Sequence, residues 1–180
     1  MLGAGQLRQL LTLSGSLREA SSNTSLLIAA ERLAPAGVTM SRYHGMGELP
    51  HFNPDFETSL PPSVVALRAD VGRAGGLLIC CPEYARGIPG SFKNVLDWLV
   101  GDPDFHAKPV ALFNASPRAS AAQAALRLVL TTMSARIVEE ASITMDLMTR
   151  KMSPEAIATD PILSLEIVTA LSVFRDAIRA

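Results

Sequence analysis

The sequence predicts a three-layer α/β sandwich, with one parallel sheet of five strands in the order 2-1-3-4-5 and helices on both faces. Three observations predict it. Apolar runs of strand length alternate with segments that carry apolar residues at helical spacing, which implies parallel pairing through right-handed crossovers. The run Leu77-Leu78-Ile79-Cys80-Cys81 is apolar throughout, as a central strand covered on both faces is. The 180 residues, 48% apolar and 18% charged, suit a single core, so one domain over residues 1–180 is expected.

Met1 to Gln6 is expected to be a loose start. Its Gly3-Ala4-Gly5 follows no strand and so lacks the context of a dinucleotide fingerprint. Leu10 to Leu13 is the first strand, Ser14 to Asn23 a hydroxyl-rich turn, and the next helix buries Leu26, Leu27, Ala30 and Leu33 before Pro35-Ala36-Gly37 ends it. Val38 to Tyr43 alternates as an edge strand does. His44 to Pro62 is a long loop whose Met46, Leu49, Phe52 and Phe56 need a surface to cover: a ligand, a partner subunit or the loop's own core.

Leu60, Val64, Leu67 and Val71 mark a second helix, ended by Gly72 to Gly76. The central strand stops at Pro82-Glu83-Tyr84-Ala85-Arg86-Gly87-Ile88-Pro89-Gly90, and a third helix carries Phe92, Val95, Leu96 and Leu99, with Trp98 expected in a core or a subunit interface. Val110 to Phe113 runs into a polar turn, Asn114-Ala115-Ser116-Pro117-Arg118, before a helix with Leu126, Val129, Leu130 and Met133. Ile137-Val138 begins a short fifth strand. The last helix starts with Asp160 as N-cap and Pro161 at its first position, and its stripe is Leu163, Ile167, Leu171, Phe174 and Ile178.

A formal net charge of −1 with no run of Lys and Arg gives no footprint for nucleic acid or an anionic membrane. Adjacent Cys80 and Cys81 argue against a structural disulfide, and the scattered His44, His51 and His106 give no metal-ligand spacing. No stretch is long enough to span a bilayer and the start lacks a signal-peptide pattern, so a cytoplasmic protein is expected and the sequon Asn23-Thr24-Ser25 has no chemical role there.

In the expected strand order, ligands sit outside the carboxyl ends of the strands, beside the first and third. Three unusual turns fall at such ends, after Leu13, Cys81 and Phe113. In the first, Gly15 allows a tight turn, Ser16, Ser21, Ser22 and Asn23 offer hydrogen bonds, and the fork of Arg18 matches two phosphate oxygens at the positive end of a helix. The bland alternative is a strand-to-helix connection in which Ser22 or Asn23 caps the helix and Arg18 is solvated.

Gly15-Ser16-Leu17-Arg18 with Ser21 and Asn23, Pro82-Glu83-Tyr84 with Ile88-Pro89-Gly90, and Lys93-Asn94-Val95-Leu96-Asp97-Trp98 together resemble the NADPH-dependent FMN reductase family. This is a branch of the flavodoxin-like proteins that includes quinone, azo-dye and chromate reductases. Leu49 to Asp55 is similar to its second-strand loop. The resemblance implies a flavodoxin-like fold, FMN as cofactor, NADPH or NADH as co-substrate, a small-molecule electron acceptor, and a homodimer or homotetramer in which Phe52 and Phe56 cover the partner.

By the same resemblance, Ser16, Arg18, Ser21 and Asn23 hold the FMN phosphate, with Ser22 beside them as contact or cap. Pro82, Glu83, Tyr84 and the backbone of Ala85, Arg86 and Gly87 lie along the isoalloxazine ring, and Ser116 falls in a third ligand loop. The family often has Asn where this chain has Ala85, and Gly where it has Arg118. Backbone N–H groups from Glu83 to Gly87 are expected to stabilise negative charge on the reduced ring. Flavin chemistry demands no protein nucleophile, general acid or metal. Two alternatives stay open: a flavodoxin-type electron carrier, which would need a charged docking face, and a nucleotide-binding module without catalysis.

Overall fold

The computed structural model describes residues 8–179, so the expected loose start at Met1–Gln6 lies outside them. β1 (Arg8–Ser14), β2 (Val38–Arg42), β3 (Gly76–Cys80) and β4 (Pro109–Asn114) pair in parallel with β5 (Arg136–Ile137) in the order β2-β1-β3-β4-β5. This is the expected flavodoxin-like order. Ser14 pairs with Cys80 and Cys80 with Phe113, so β1, β3 and β4 leave the sheet at one level and their following turns emerge side by side.

The far edge differs from the expected single fifth strand. After Ile137 a 3-10 turn at Glu139–Ala141 interrupts the ladder, and β6 (Ile143–Thr144) resumes it against Phe113 and Asn114. The Ser142 hydroxyl mends the gap, accepting from the Leu112 N–H at 3.0 Å and donating to the Val138 carbonyl at 3.0 Å. The Val138 N–H still donates to the Val110 carbonyl, at 2.8 Å.

Two apolar layers cover the sheet. On one face, α1 (Ser22–Arg32), α5 (Pro154–Thr159) and α6 (Pro161–Arg179) pack Leu26, Leu27, Ile157, Ile167, Leu171 and Phe174 over Leu10, Leu78 and Phe113. On the other, α2 (Pro62–Arg73), α3 (Gly90–Leu99) and α4 (Ser120–Thr132) pack Val64, Leu67, Phe92, Trp98 and Leu126 over Leu11, Leu77 and Leu112. Asp160 caps α6 as expected, its Oδ1 accepting from the N–H groups of Ile162 and Leu163 at 3.0 and 3.1 Å.

The long loop after β2 covers its own core. Met46 and Leu49 are buried, Phe52 is half-buried edge-on to the Trp98 ring at 5.0 Å, and only Phe56 stays exposed. Trp98 is a core residue with a polar handle: its indole N–H donates to the Pro50 carbonyl at 2.8 Å. Asn94 joins it, donating to the same carbonyl at 3.0 Å and accepting from the Phe52 N–H at 2.8 Å. The Asn94…Trp98 spacing therefore places two side chains on one face of α3 that fasten the loop.

Candidate active-site cleft

At the carboxyl end of the sheet, the three turns surround a cavity of about 750 Å³, within the range of small-molecule sites. Residues from the first turn and the start of α1 (Ser16, Arg18, Ser21, Ser22, Asn23), from the β3 turn (Pro82, Glu83, Tyr84) and from the β4 turn (Asn114, Ser116, Arg118) line it. The segment between β6 and α5, with Met148, Lys151, Met152 and Ser153, closes the remaining side.

The first and third turns are built alike. The Ser16 N–H donates to the Ser14 hydroxyl at 3.3 Å and the Arg18 N–H to the Ser16 hydroxyl at 3.2 Å. In the β4 turn the Ser116 N–H donates to Asn114 Oδ1 at 3.1 Å and the Arg118 N–H to the Ser116 hydroxyl at 3.3 Å. Each short side chain stands in for a backbone acceptor and folds the chain two residues on. Each turn thereby brings an arginine to the cavity.

Ser21, not Ser22, is the N-cap of α1: its hydroxyl accepts from the Thr24 N–H at 3.4 Å. Ser22 occupies the first helical position, where backbone N–H groups have no intrahelical partner and the helix dipole is positive. Asn23 is turned toward the core, its Oδ1 accepting from the Cys80 thiol at 3.2 Å. Its Nδ2 and its backbone N–H at the helix start stay available to a ligand in the cavity that it lines. Gly15 has no positive φ, contrary to the expected need for a tight turn. Its missing side chain serves a close approach instead, because a Cβ there would lie 2.8 Å from Cys81 Sγ, 3.1 Å from Cys81 Cα and 3.1 Å from Pro82 Cδ. The Gly15 N–H also donates to the Cys80 carbonyl at 2.9 Å, so the first two turns touch along their backbones.

The β3 turn is a two-residue hairpin. The N–H groups of Tyr84 and Gly87 donate to each other's carbonyls at 3.1 Å, and Ala85 and Arg86 take φ of 49° and 63° between them. Two consecutive left-handed residues are the hairpin geometry that favours Asn-Gly, and Ala and Arg fill it at a steric cost. Of the loop's N–H groups, those of Tyr84 and Gly87 are paired within the hairpin, which leaves those of Glu83, Ala85 and Arg86 for the expected role. Ala85, Arg86 and Gly87 also stand outside the cavity wall. Glu83 ties the β3 turn to α4: its Oε2 accepts from the Ala122 N–H at 3.0 Å, satisfying the third residue of α4, whose own cap position, Ala119, has no side-chain hydrogen bond. Arg86 pairs with the other oxygen at 4.0 Å.

Burial pushes the Cys81 thiol up to about 12 and raises Cys80 well above the ordinary range, so neither supplies a thiolate. Among the described residues no group of His, Cys, Asp or Glu is arranged to hold a metal ion. No described helix is long and apolar enough to cross a membrane.

The donor set fits a phosphorylated ring compound. A helix start, Arg18, Ser16 and Ser22 line the cavity, and half-exposed Tyr84 with Pro82, Met148 and Met152 adds apolar surface. Residues 8–149 match the family described as NADPH-dependent FMN reductase. A quinone reductase of Escherichia coli K12 is 34% identical over 112 residues, 60% of each chain, and a 2-hydroxy-1,4-benzoquinone reductase of Burkholderia is 36% identical over 57% of each chain. The chain thus spans about 60% of the length of these curated relatives. Across almost the whole chain, the flavoenzyme NAD(P)H:acceptor oxidoreductase FerB of Paracoccus denitrificans superposes with a TM-score of 0.79 at 28% identity, covering 96% of this chain and 97% of its own.

Proposed function

We propose a function from one premise: the chain belongs to the NADPH-dependent FMN reductase family. It is an FMN-dependent oxidoreductase that takes a hydride from NADPH or NADH and delivers two electrons to a small acceptor, a quinone foremost. FMN, when bound, would supply the redox chemistry. Everything else falls to the residues of the cleft.

In this reading Arg18, the Ser16 and Ser22 hydroxyls and the first N–H groups of α1 hold the phosphate. Ser21 caps the helix behind them, and Asn23 fixes it to β3 through Cys80 while its Nδ2 stays free for the phosphate. Pro82 and Tyr84 flank the ring, and Ser116 approaches it from the β4 turn. Ala85, Arg86 and Gly87 shape the hairpin that presents Tyr84, and Glu83 fixes that hairpin to α4. The observation that carries the reading is the convergence of three strand-end turns on one cavity lined by both cationic and apolar side chains. Azo compounds and chromate are further acceptors of the same two-electron chemistry. The protein acts in the cytoplasm, as a homodimer or homotetramer through surfaces that include exposed Phe56.

The purified protein is expected to be yellow, or to become so with added FMN, and to oxidise NADPH or NADH continuously when a quinone is supplied. Flavin binding without sustained turnover on any quinone, azo or chromate acceptor would replace the reductase with an electron carrier. Failure to bind FMN would refute the reading.

A further inference from the structure

Three cations line the cleft, Arg18, Arg118 and Lys151, and none of them forms an ion pair among the described residues. The one carboxylate in the wall, Glu83, is occupied by the Ala122 N–H and Arg86. One phosphate monoester carries about two negative charges. Arg18 and the start of α1, worth about half a positive charge, come close to balancing it. Arg118 and Lys151 then remain as two positive charges on the same cavity, unmatched by FMN.

Both side chains are exposed, on turns whose backbones are hydrogen-bonded. The Arg118 N–H is held by the Ser116 hydroxyl at 3.3 Å, and Lys151 sits at φ 44° with its N–H on the Leu147 carbonyl at 3.0 Å. We propose that Arg118 and Lys151 form a second anion subsite of this cleft, which takes the 2′-phosphate of NADPH and makes the protein prefer NADPH to NADH. The proposal rests on the hydride-donor reading given above. The 2′-phosphate is the sole chemical difference between the two nucleotides, so a matched pair of cations acts on their ratio. An anionic acceptor could draw on the same charge, and the test separates the two sources.

The FMN-loaded protein is titrated calorimetrically with adenosine 2′,5′-bisphosphate and with 5′-AMP, neither of which is redox active, and KM is measured for NADPH and NADH. The wild-type protein is expected to bind the bisphosphate about tenfold more tightly, and Arg118→Ala or Lys151→Ala to lose about fivefold of that ratio, as an exposed charge pair does. Arg118→Lys, which keeps the charge, retains most of it. Raising salt from about 0.1 to 1 M, which cuts the screening length from ~10 to ~3 Å, collapses the ratio. Equal binding of the two probes, or an unchanged ratio in both alanine variants, overturns the proposal. So does a loss confined to an anionic quinone, because the subsite then belongs to the acceptor. A protein that takes no FMN refutes the functional reading itself, whereas one that takes FMN and oxidises both nucleotides equally refutes this inference alone.

Discussion

Replacing Gly15 by alanine tests how the cleft is assembled. The new Cβ would stand 2.8 Å from Cys81 Sγ, and 3.1 Å from both Cys81 Cα and Pro82 Cδ. The sulfur is buried and cannot swing away, and the other two contacts involve backbone and a proline ring, so the first turn has to move off the second by several tenths of an ångström. Overpacking of this kind costs about 1–3 kcal/mol. A chain of this size loses about 2–4 °C in Tm per kcal/mol, so a fall of roughly 2–12 °C is expected by differential scanning calorimetry. FMN affinity, read by quenching of flavin fluorescence, falls with it, because the phosphate turn and the ring turn lose their common register.

Cys81→Ala in the same protein removes the nearest atom but leaves the two 3.1 Å contacts. The double variant is therefore expected to recover part of the loss, with a coupling of about 0.5–2 kcal/mol between neighbouring sites. A Gly15→Ala protein with unchanged Tm and unchanged FMN affinity would refute the reasoning. Additive effects of the two substitutions would refute it as well.

Three further outcomes follow from the same geometry. Arg18→Ala should weaken FMN about tenfold or more in the quenching titration, the value of one charge-assisted hydrogen bond, while affinity for riboflavin, which lacks the phosphate, stays unchanged. Ala85→Asn with Arg86→Gly should raise Tm by roughly 2–4 °C, since a left-handed residue other than glycine costs ~1–2 kcal/mol, part of which is offset by the flexibility of glycine and a weak ion pair to Glu83. Cys80 and Cys81 should resist alkylation at pH 8 until the chain unfolds. Because burial raises the folded Cys81 from an ordinary 9.0 to about 12, its stabilisation is complete below pH 9 and is lost as pH rises toward 12, which urea midpoints across that range would record.

The sheet was legible because its evidence is periodic. Leu77 to Cys81 reads as a doubly covered strand, and the strand–helix alternation around it suits the order found. The far edge was not legible, since β5 and β6 are two-residue strands whose continuity depends on the Ser142 hydroxyl, a tertiary contact with no sequence period. The helix α5 was missed although Ser153-Pro154 carries the signature of a cap followed by proline, and with it went the wall formed by Met148, Lys151 and Met152.

Within the cleft, residue types pointed to an anion but not to the division of labour. Ser21 and Ser22 read alike until the cap geometry separates them. Asn23 reads as a ligand contact alone, and its Oδ1 also accepts from the Cys80 thiol. The repeated spacing Ser14-Ser16-Arg18 and Asn114-Ser116-Arg118 was visible in the chain and would have paired the first and third turns from the start. The welding of Gly15 to Cys81 depends on strand register, which no local pattern encodes.

The central claim is that the three turns form one FMN site. Titration of FMN into flavin-free protein, followed by flavin fluorescence and then by anaerobic addition of NADPH, tests it most directly. The account predicts saturable quenching at one FMN per chain, loss of that binding in the Arg18→Ala and Gly15→Ala variants in proportion to the effects given above, and bleaching of the bound flavin by NADPH. No saturable binding, or binding indifferent to both substitutions, would contradict it.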